Sequence, residues 1–320
     1  MPAKTILLTG AGFSCDFGGF LRKDMWSKIF NNQSINNYPR IKELASKIRD
    51  NDYESIYIDV HEGSFSSGEK RALDDAFMNA YRLLDEEIRK SFNRNVPRDV
   101  RMLIERFSKR WEGGEYFFTL NQDLLIERWF SEYIHVPFFS DANRITMIRD
   151  KYFSDEYDYF VPKHFQNQEP LNAAHGGRLH YIKLHGSLNW KSSDGNRRMV
   201  IGYNKHKQIA DEPLLECYYD IFKKELLQGK PRLLVVGYSF SDEHVNKVIV
   251  ESDLELHVID RSEFQSFKDG LETKPHGEKI KEKICKGYYH PRKMIEIFPP
   301  EGTGSHAWQT IKDSLFRHNN

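Results

Sequence analysis

The chain has 320 residues, 39% of them hydrophobic and 13% aromatic, which suffices for the core of one large domain with an insertion or of two domains. Its 47 lysines and arginines balance its 47 aspartates and glutamates, so the net charge gives no reason to expect direct binding to nucleic acid. The apolar stretch at residues 6–8 is too short to span a bilayer, and the N-terminus lacks the pattern of a signal peptide, so we expect a cytoplasmic protein without membrane contact.

The three cysteines, Cys15, Cys217 and Cys285, are too far apart in sequence to form a zinc ribbon or a disulfide framework. We therefore expect free thiols in a reducing compartment and no bound metal.

The N-terminal third predicts one buried strand followed by helices. Residues 4–9 are an apolar run typical of a strand, residues 21–30 are typical of a helix, and residues 39–112 are mostly helical. In the clearest helix, residues 70–92, apolar side chains recur at spacings of three and four, which predicts a face packed on the core. That face comprises Leu73, Ala76, Phe77, Ala80, Leu83, Leu84 and Ile88.

The middle of the chain alternates between strands and helices. Residues 115–121 predict a strand and residues 123–130 a helix. Residues 135–178 are irregular, polar and aromatic, and we interpret them as an insertion or a lid. Residues 179–186 predict a third strand, and the segments "LNW" and "RMVIGY" after it are typical of a hairpin or an extended excursion. Residues 213–229 predict a helix with Gly229 as its C-cap.

The C-terminal part continues this alternation. Residues 232–250 predict strand, loop and helix, residues 254–260 a strand, "MIEIFPP" the last strand, and residues 305–317 the last helix. Strands that alternate with helices predict an α/β fold, a Rossmann-like, mostly parallel sheet with helices on both faces. In such sheets ligands bind beyond the carboxyl ends of the strands, so polar residues at those positions are candidates for a site.

The first such motif is a glycine-rich loop after the first strand. Glycines let a phosphate approach the main chain closely, and the start of the next helix favours an anion. A simple tight turn would explain the same glycines, and the usual dinucleotide-binding fingerprint fails because position 15 is a cysteine. The candidate cofactor-binding residues are Gly10, Ala11, Gly12, Phe13 and Ser14.

Two further motifs follow the second and third strands. Asn121 and Asp123 could bind ribose hydroxyls, a carboxamide or a water, although Asp123 could equally cap the next helix. His185 lies between an apolar strand and a glycine, where a ligand is expected, and an imidazole can accept a proton from a sugar hydroxyl near neutral pH. A lone histidine can also be purely structural.

The fourth motif follows the strand at 232–236. Gly237 and Ser239 could bind a phosphate or a ribose, and the serines and aspartate of this loop could instead cap the next helix. Asp260 ends the following strand, where an acid can accept the two hydroxyls of an adenosine ribose.

Together the Gly-Ala-Gly-x-Ser loop, the Asn-x-Asp strand end, Leu-His-Gly and the late Gly-x-Ser strand end resemble the sirtuin superfamily over residues 4–261. The resemblance implies NAD as substrate, with residues 10–14 cradling its diphosphate. It also implies that Gly237, Ser239 and Asp260 bind phosphate or adenosine ribose. Asn121 would position a water or the ribose, His185 would hold a ribose hydroxyl and act as base, and Asp123 would contact the carboxamide or cap the helix.

The chain departs from the sirtuin deacylases because it cannot build their four-cysteine zinc ribbon. We therefore expect the small subdomain, at about 36–112, to be helical and free of zinc. We also expect a lid-like segment at about 135–178 and a C-terminal extension at 262–320, which forms a last strand and helix or a docking surface. The sequences "GYSFSDEH" and "LHGSLNW" are more similar to sirtuin-like domains of bacterial antiphage defence systems, such as Thoeris effectors and the partners of HerA-type ATPases or short Argonautes.

That similarity implies an NAD hydrolase that acts as the toxic effector of abortive infection. It would be switched on by homo-oligomeric assembly or by a partner, such as a HerA-type ATPase or another phage-sensing subunit. Two alternatives stay open: a sensor that binds NAD or ADP-ribose without turnover, and a zinc-free, NAD-dependent protein deacylase.

Overall fold

The computed structural model describes residues 4–48, 51–92, 98–108, 116–139, 144–148, 156–162, 178–192, 197–202, 204–299 and 305–316. In the first half the elements are β1 (Thr5–Thr9), α1 (Ala11–Cys15), α2 (Arg22–Phe30), α3 (Pro39–Lys47), α4 (Tyr53–Glu62), α5 (Ser67–Phe92), α6 (Arg98–Ser108), β2 (Tyr116–Thr119), α7 (Leu125–Trp129), β3 (Ile134–His135), β4 (Arg144–Ile148) and β5 (Glu156–Phe160). The second half contains β6 (Leu179–Lys183), β7 (Gly186–Lys191), β8 (Arg197–Met199), α8 (Lys205–Ala210), α9 (Pro213–Leu227), β9 (Arg232–Val236), α10 (Glu243–Glu251), β10 (Glu255–Asp260), α11 (Phe264–Leu271), α12 (Gly277–Lys286), β11 (Tyr288–Pro291), α13 (Met294–Ile297) and α14 (His306–Phe316).

A seven-stranded sheet forms the centre of the molecule, in the order β11-β10-β9-β1-β2-β6-β3. All of its neighbouring strands are parallel. The chain passes from β1 towards β2 on one side and from β9 towards β10 on the other, so the strand order reverses between β1 and β9. Such a switch point is where open α/β sheets leave a crevice for ligands. The predicted α/β, Rossmann-like fold is confirmed.

Both faces of this sheet are buried. Along β1, Leu7 packs with the helices of the N-terminal half, and Ile6 and Leu8 pack with the helices that follow β8. Side chains alternate between the two faces of a strand. A strand covered on both sides therefore reads as the continuous apolar run seen at residues 6–8.

The long helix α5 supports the N-terminal helical layer. Ser66 and Glu69 form a reciprocal capping box at its start, each accepting from the other's backbone N–H. The predicted stripe along this helix is buried except at one position: Leu83 is 36% exposed, while Phe77 is 1% exposed and lies against Tyr53 and Tyr57. The assignment of Leu83 to the core face was therefore wrong.

A second sheet of four strands, in the order β4-β5-β7-β8, lies outside the main one. β7 and β8 pair antiparallel, which agrees with the predicted hairpin. The segment predicted to be irregular, 135–178, contains two antiparallel strands, β4 and β5, although much of it lies outside the described residues. Each of these strands is only five residues long, and their alternation of polar with apolar or aromatic residues is the signal that the prediction missed.

The residues after 261 complete the main sheet. β11 pairs in parallel with β10 at the edge, and α14 buries Trp308, Ile311 and Leu315 against the same core as the N-terminal helices. "MIEIFPP" was predicted to be a strand, but residues 294–297 form the short helix α13 and the last strand precedes it. Gly229 adopts φ +74° just after α9, as its predicted capping position requires. In the described parts of the chain, no helix has the length and apolarity needed to cross a bilayer.

We expect Phe77→Ala to lower the free energy of unfolding by about 3–5 kcal/mol, because it leaves a cavity under α5. Leu83→Ala on the same helix is the matched control and should cost about 1 kcal/mol or less, since that side chain is partly solvated. Chemical denaturation of both variants measures the difference. Equal losses would contradict the assignment of the two faces.

Candidate functional site

A cavity of about 1160 Å³ opens at the carboxyl edge of the main sheet. One wall consists of the loops that follow β1, β2, β6, β9 and β10, and the other of side chains from α2, α4 and α5, among them Arg22, Glu54 and Tyr81. Its volume suits a ligand the size of a dinucleotide. The sequence-predicted residues that line it are Gly10, Ala11, Gly12, Ser14, Asn121, Asp123, His185, Gly237, Ser239 and Asp260.

The glycines bring two loops into backbone contact at the switch point. The N–H groups of Gly10 and Gly12 donate to the carbonyl oxygens of Val236 and Gly237, at 3.0 and 2.8 Å. Gly237 has φ +62°, and a Cβ there would lie 2.2 Å from the backbone nitrogen of Phe13. Any other residue at position 237 would therefore push the two loops apart. The glycines line the cavity, but glycine is needed at these positions first because the backbones of the two loops are in contact.

Phe13 does not reach the cavity. Its ring is 1% exposed and lies against Phe17 in the helical layer, and its backbone N–H donates to Gly10 O at 2.9 Å. Phe13 could therefore affect cofactor binding only indirectly, by packing on the side of the glycine-rich segment that faces away from the cavity.

Asn121, Ser14 and Asp123 form one hydrogen-bond chain. The Asn121 amide nitrogen donates to Gly10 O and to Ser14 Oγ, both at 3.0 Å, and Ser14 Oγ donates to Asp123 Oδ2 at 2.9 Å. These two bonds use both N–H groups of the amide, so its carbonyl oxygen, Oδ1, is the atom with capacity for a ligand. Asp123 Oδ1 also accepts from Leu125 N at 3.0 Å. Asp123 thus satisfies the first backbone N–H of α7, although Leu124 and not Asp123 occupies the N-cap position.

His185 is buried at the end of β6 and contacts a second histidine. Its Nε2 lies 3.1 Å from Nε2 of His244, which stands in the first turn of α10. Gln122 supports the backbone at this point by donating to the carbonyl oxygen of His185 at 3.1 Å. Burial holds the pKa of His185 well below 6.5, although the carboxylate of Asp242 partly offsets this effect. The imidazole is therefore neutral at pH 7 and able to accept a proton.

A charged network beside the histidines joins the two walls of the cavity. Lys205 Nζ lies 2.8 Å from Asp242 Oδ1 and 3.1 Å from Glu54 Oε2, which belongs to α4 in the helical layer. Burial raises the pKa of Asp242, but the Lys205 ammonium and the neighbouring histidines together outweigh this effect, so the pKa of Asp242 is lowered. Asp242 is thus ionised throughout the neutral range, and its charge faces the histidine pair.

Three members of the charged network and the histidine pair were not assigned a role from sequence: Glu54, Lys205 and His244. The cations at the opposite end of the cavity, Arg261, Arg292 and Lys293, were not assigned either. His244 lies in the "GYSFSDEH" motif used for the family resemblance, so the motif itself was the available signal. Glu54 and Lys205 come from segments without any motif, and only the packing of α4 against α8 and the loop after β9 reveals them.

The opposite end of the cavity is cationic. Asp260 Oδ1 accepts from Ser262 N at 2.8 Å, and Arg261, Arg292 and Lys293 line the cavity beside it. Ser239 Oγ is exposed and lies 2.9 Å from Ser241 Oγ. Cations at this end can balance the charge of phosphates, and Asp260 Oδ2 can accept from a sugar hydroxyl.

One set of side chains in the described residues could hold a metal ion. Ligand atoms of His185, Asp242 and His244 all lie within 4.8 Å of one another. The cysteines Cys15, Cys217 and Cys285 are free thiols.

We expect Gly237→Ala to destabilise the protein by about 1–3 kcal/mol and to alter the cavity, because an alanine must adopt φ +62° against the backbone of the facing loop. Gly270→Ala is the matched control. It lies in α11, no described atom lies within 4 Å of a Cβ built there, and it should stabilise the helix by about 0.5–1 kcal/mol. Thermal unfolding of both variants checks the opposite signs.

Comparison with known proteins supports the resemblance for part of the chain. A search of the curated proteins gave no match. Residues 115–261, somewhat less than half of the chain, match the family model of the SIR2-like domain. This segment contains Asn121, His185 and the loop after β9, while the glycine loop after β1 precedes it.

Proposed function

We propose that this protein hydrolyses NAD to nicotinamide and ADP-ribose. The observation that carries the proposal is that Asn121 and His185, from two different strand ends, line one cavity together with the glycine loops at the switch point. The match of residues 115–261 to a SIR2-like domain makes NAD the substrate to test first.

We place the diphosphate of NAD between the glycine loops and the cationic end of the cavity. The N–H groups of Gly10, Gly12 and Phe13 already donate within the protein. Arg261 and Arg292 would therefore carry much of the charge neutralisation, and the glycines would provide close approach. The adenosine ribose then lies near Asp260 and Ser239, and the nicotinamide ribose lies towards Asn121 and His185.

The reaction breaks the bond between C1′ of the ribose and the nicotinamide nitrogen. The bonding electron pair leaves with nicotinamide, which departs as a neutral molecule, and positive charge develops on the ribose. A water oxygen forms the new bond to C1′ and releases one proton. The protein needs to orient the ribose, place the water and accept that proton.

In this arrangement Asn121 Oδ1 accepts a hydrogen bond from the water or from a ribose hydroxyl. Its amide nitrogen is held by Gly10 and Ser14, so the orientation of Oδ1 is set before substrate binds. His185 accepts the proton as a neutral imidazole. Asp123 holds Ser14 in place by accepting a hydrogen bond from its hydroxyl.

The biological role that we propose is depletion of NAD during infection, as the toxic effector of a bacterial antiphage system. This part rests on the similarity of the "GYSFSDEH" and "LHGSLNW" segments to such proteins. We further propose a cytoplasmic homo-oligomer whose activity requires assembly or a phage-sensing partner, such as a HerA-type ATPase. The mass of the complex isolated from its native cell, with the identity of any chain that copurifies, tests this role.

We expect Asn121→Ala and His185→Ala each to lower the rate of nicotinamide release at least ~100-fold, the usual contribution of a positioned acid–base group. His306→Ala, an exposed imidazole on α14, is the matched control and should leave the rate unchanged. The assay follows nicotinamide and ADP-ribose, in equal amounts, with the purified chain and with the native complex. Thermal unfolding of each variant verifies that it is folded.

The same assay separates the alternatives. Tight NAD binding without nicotinamide release in either preparation would favour a sensor and overturn the hydrolase. Nicotinamide release that requires an acylated lysine peptide would favour a deacylase.

The pH dependence gives an independent check. Because burial lowers the pKa of His185 well below its ordinary 6.5, the base form persists as the pH falls from 8 to 6. We therefore expect nicotinamide release to show no decline centred near pH 6.5. A rate of nicotinamide release that falls to half its maximum near pH 6.5 would mean that His185 is not the buried neutral base.

A further inference from the structure

The contact between His185 and His244 assigns a role to a residue outside the proposed catalytic pair. We propose that His244 is a positioning residue: it accepts a hydrogen bond from His185 Nε2–H and so presents the bare Nδ1 of His185 as the base. This inference deepens the proposed function and rests on it.

One proton lies between the two rings. The two Nε2 atoms are 3.1 Å apart, so one must donate and the other accept. If His244 donated, His185 would carry its proton on Nδ1 and could not act as a base there. If His185 donates, its Nδ1 is bare. Proton acceptance by His185 therefore requires His244 to be the acceptor.

The surroundings of His244 fix it for this task. Its side chain is 7% exposed, and its carbonyl oxygen accepts from the Tyr219 hydroxyl at 2.9 Å. The Asn246 amide nitrogen ties α10 to the preceding loop by donating to Phe240 O at 2.7 Å. Burial therefore leaves the ring little room, and these bonds hold the backbone that carries it.

The nearby charges support the same direction of proton transfer. When His185 takes a proton, the positive charge forms close to the Asp242 carboxylate. Burial keeps both histidines neutral at rest, and the Lys205 ammonium, which is paired with that carboxylate and with Glu54, adds to this effect. The Asp242 carboxylate therefore partly offsets the cost of placing a positive charge on the buried pair.

The same three groups could instead bind a metal ion, since their ligand atoms lie within 4.8 Å of one another. We favour the hydrogen-bonded pair because the Lys205 ammonium lies 2.8 Å from Asp242 Oδ1, where it opposes a second cation.

The experiment compares His244→Leu, which removes the acceptor, with His244→Gln, which keeps an acceptor oxygen. For NAD hydrolysis by the native complex, we expect His244→Leu to lower kcat ~10-fold or more with KM within about threefold, and His244→Gln to restore most of kcat. ¹⁵N NMR of the histidine rings of the purified chain, with His185→Gln to assign the signals, should show Nδ1 of His185 unprotonated in the wild type and changed in His244→Leu. His306→Gln should change neither readout.

Unchanged kcat and unchanged His185 nitrogen signals in His244→Leu would overturn the proposal, as would equal losses of kcat in the Leu and Gln variants. One equivalent of Zn²⁺ held by the wild type in equilibrium dialysis, and lost in both His185→Gln and His244→Leu, would show a metal site and overturn it too. If the wild type does not hydrolyse NAD, the NMR comparison still decides the role of His244, and the proposed function fails separately.

Discussion

Parallel pairing of every neighbouring strand in the main sheet is the constraint on which the site depends. Because the strands run in one direction, the residues that follow β1, β2, β6, β9 and β10 emerge at the same edge. The register aligns Thr9 with Thr119 and with Val236, so the loops after these strands begin at the same height. Residues more than a hundred positions apart in sequence thereby meet in one cavity.

Within this edge the position of each polar group is set by backbone contacts that sequence alone does not reveal. The close approach of Gly12 and Gly237 fixes the spacing between the loops after β1 and β9. Ser14, in the short helix α1 after β1, then links Asn121 and Asp123 of the loop after β2 by hydrogen bonds. The serine that was predicted to bind a phosphate also accepts from the Asn121 amide and so helps to orient it.

The sequence predicted the fold and the lining of the cavity better than the roles of its residues. Apolar runs and helical spacing identify β1, α5 and the strand–helix alternation because burial imposes those periods directly. These patterns fail at "MIEIFPP", because a short apolar segment is compatible with either a strand or a helix. They also fail at Leu83, because helical spacing does not show how wide the buried face of α5 is. The ion pair between Glu54 and Lys205 could not be predicted, because it depends on how the N-terminal helices pack against the sheet.

That link has a consequence for how the cavity works. Glu54 comes from the helical layer and Asp242 from the loop between β9 and α10, and Lys205 contacts both, so the two walls are joined beside His185. Breaking either ion pair would leave a largely buried charge without its partner, which costs more than the intact pair contributes. A displacement of α4 would therefore separate Glu54 from Lys205 and change the charges next to Asp242. Because Asp242 lies beside His185 and His244, their hydrogen bond would be affected as well. The position of the helical layer therefore affects the charges around the residues at the strand ends.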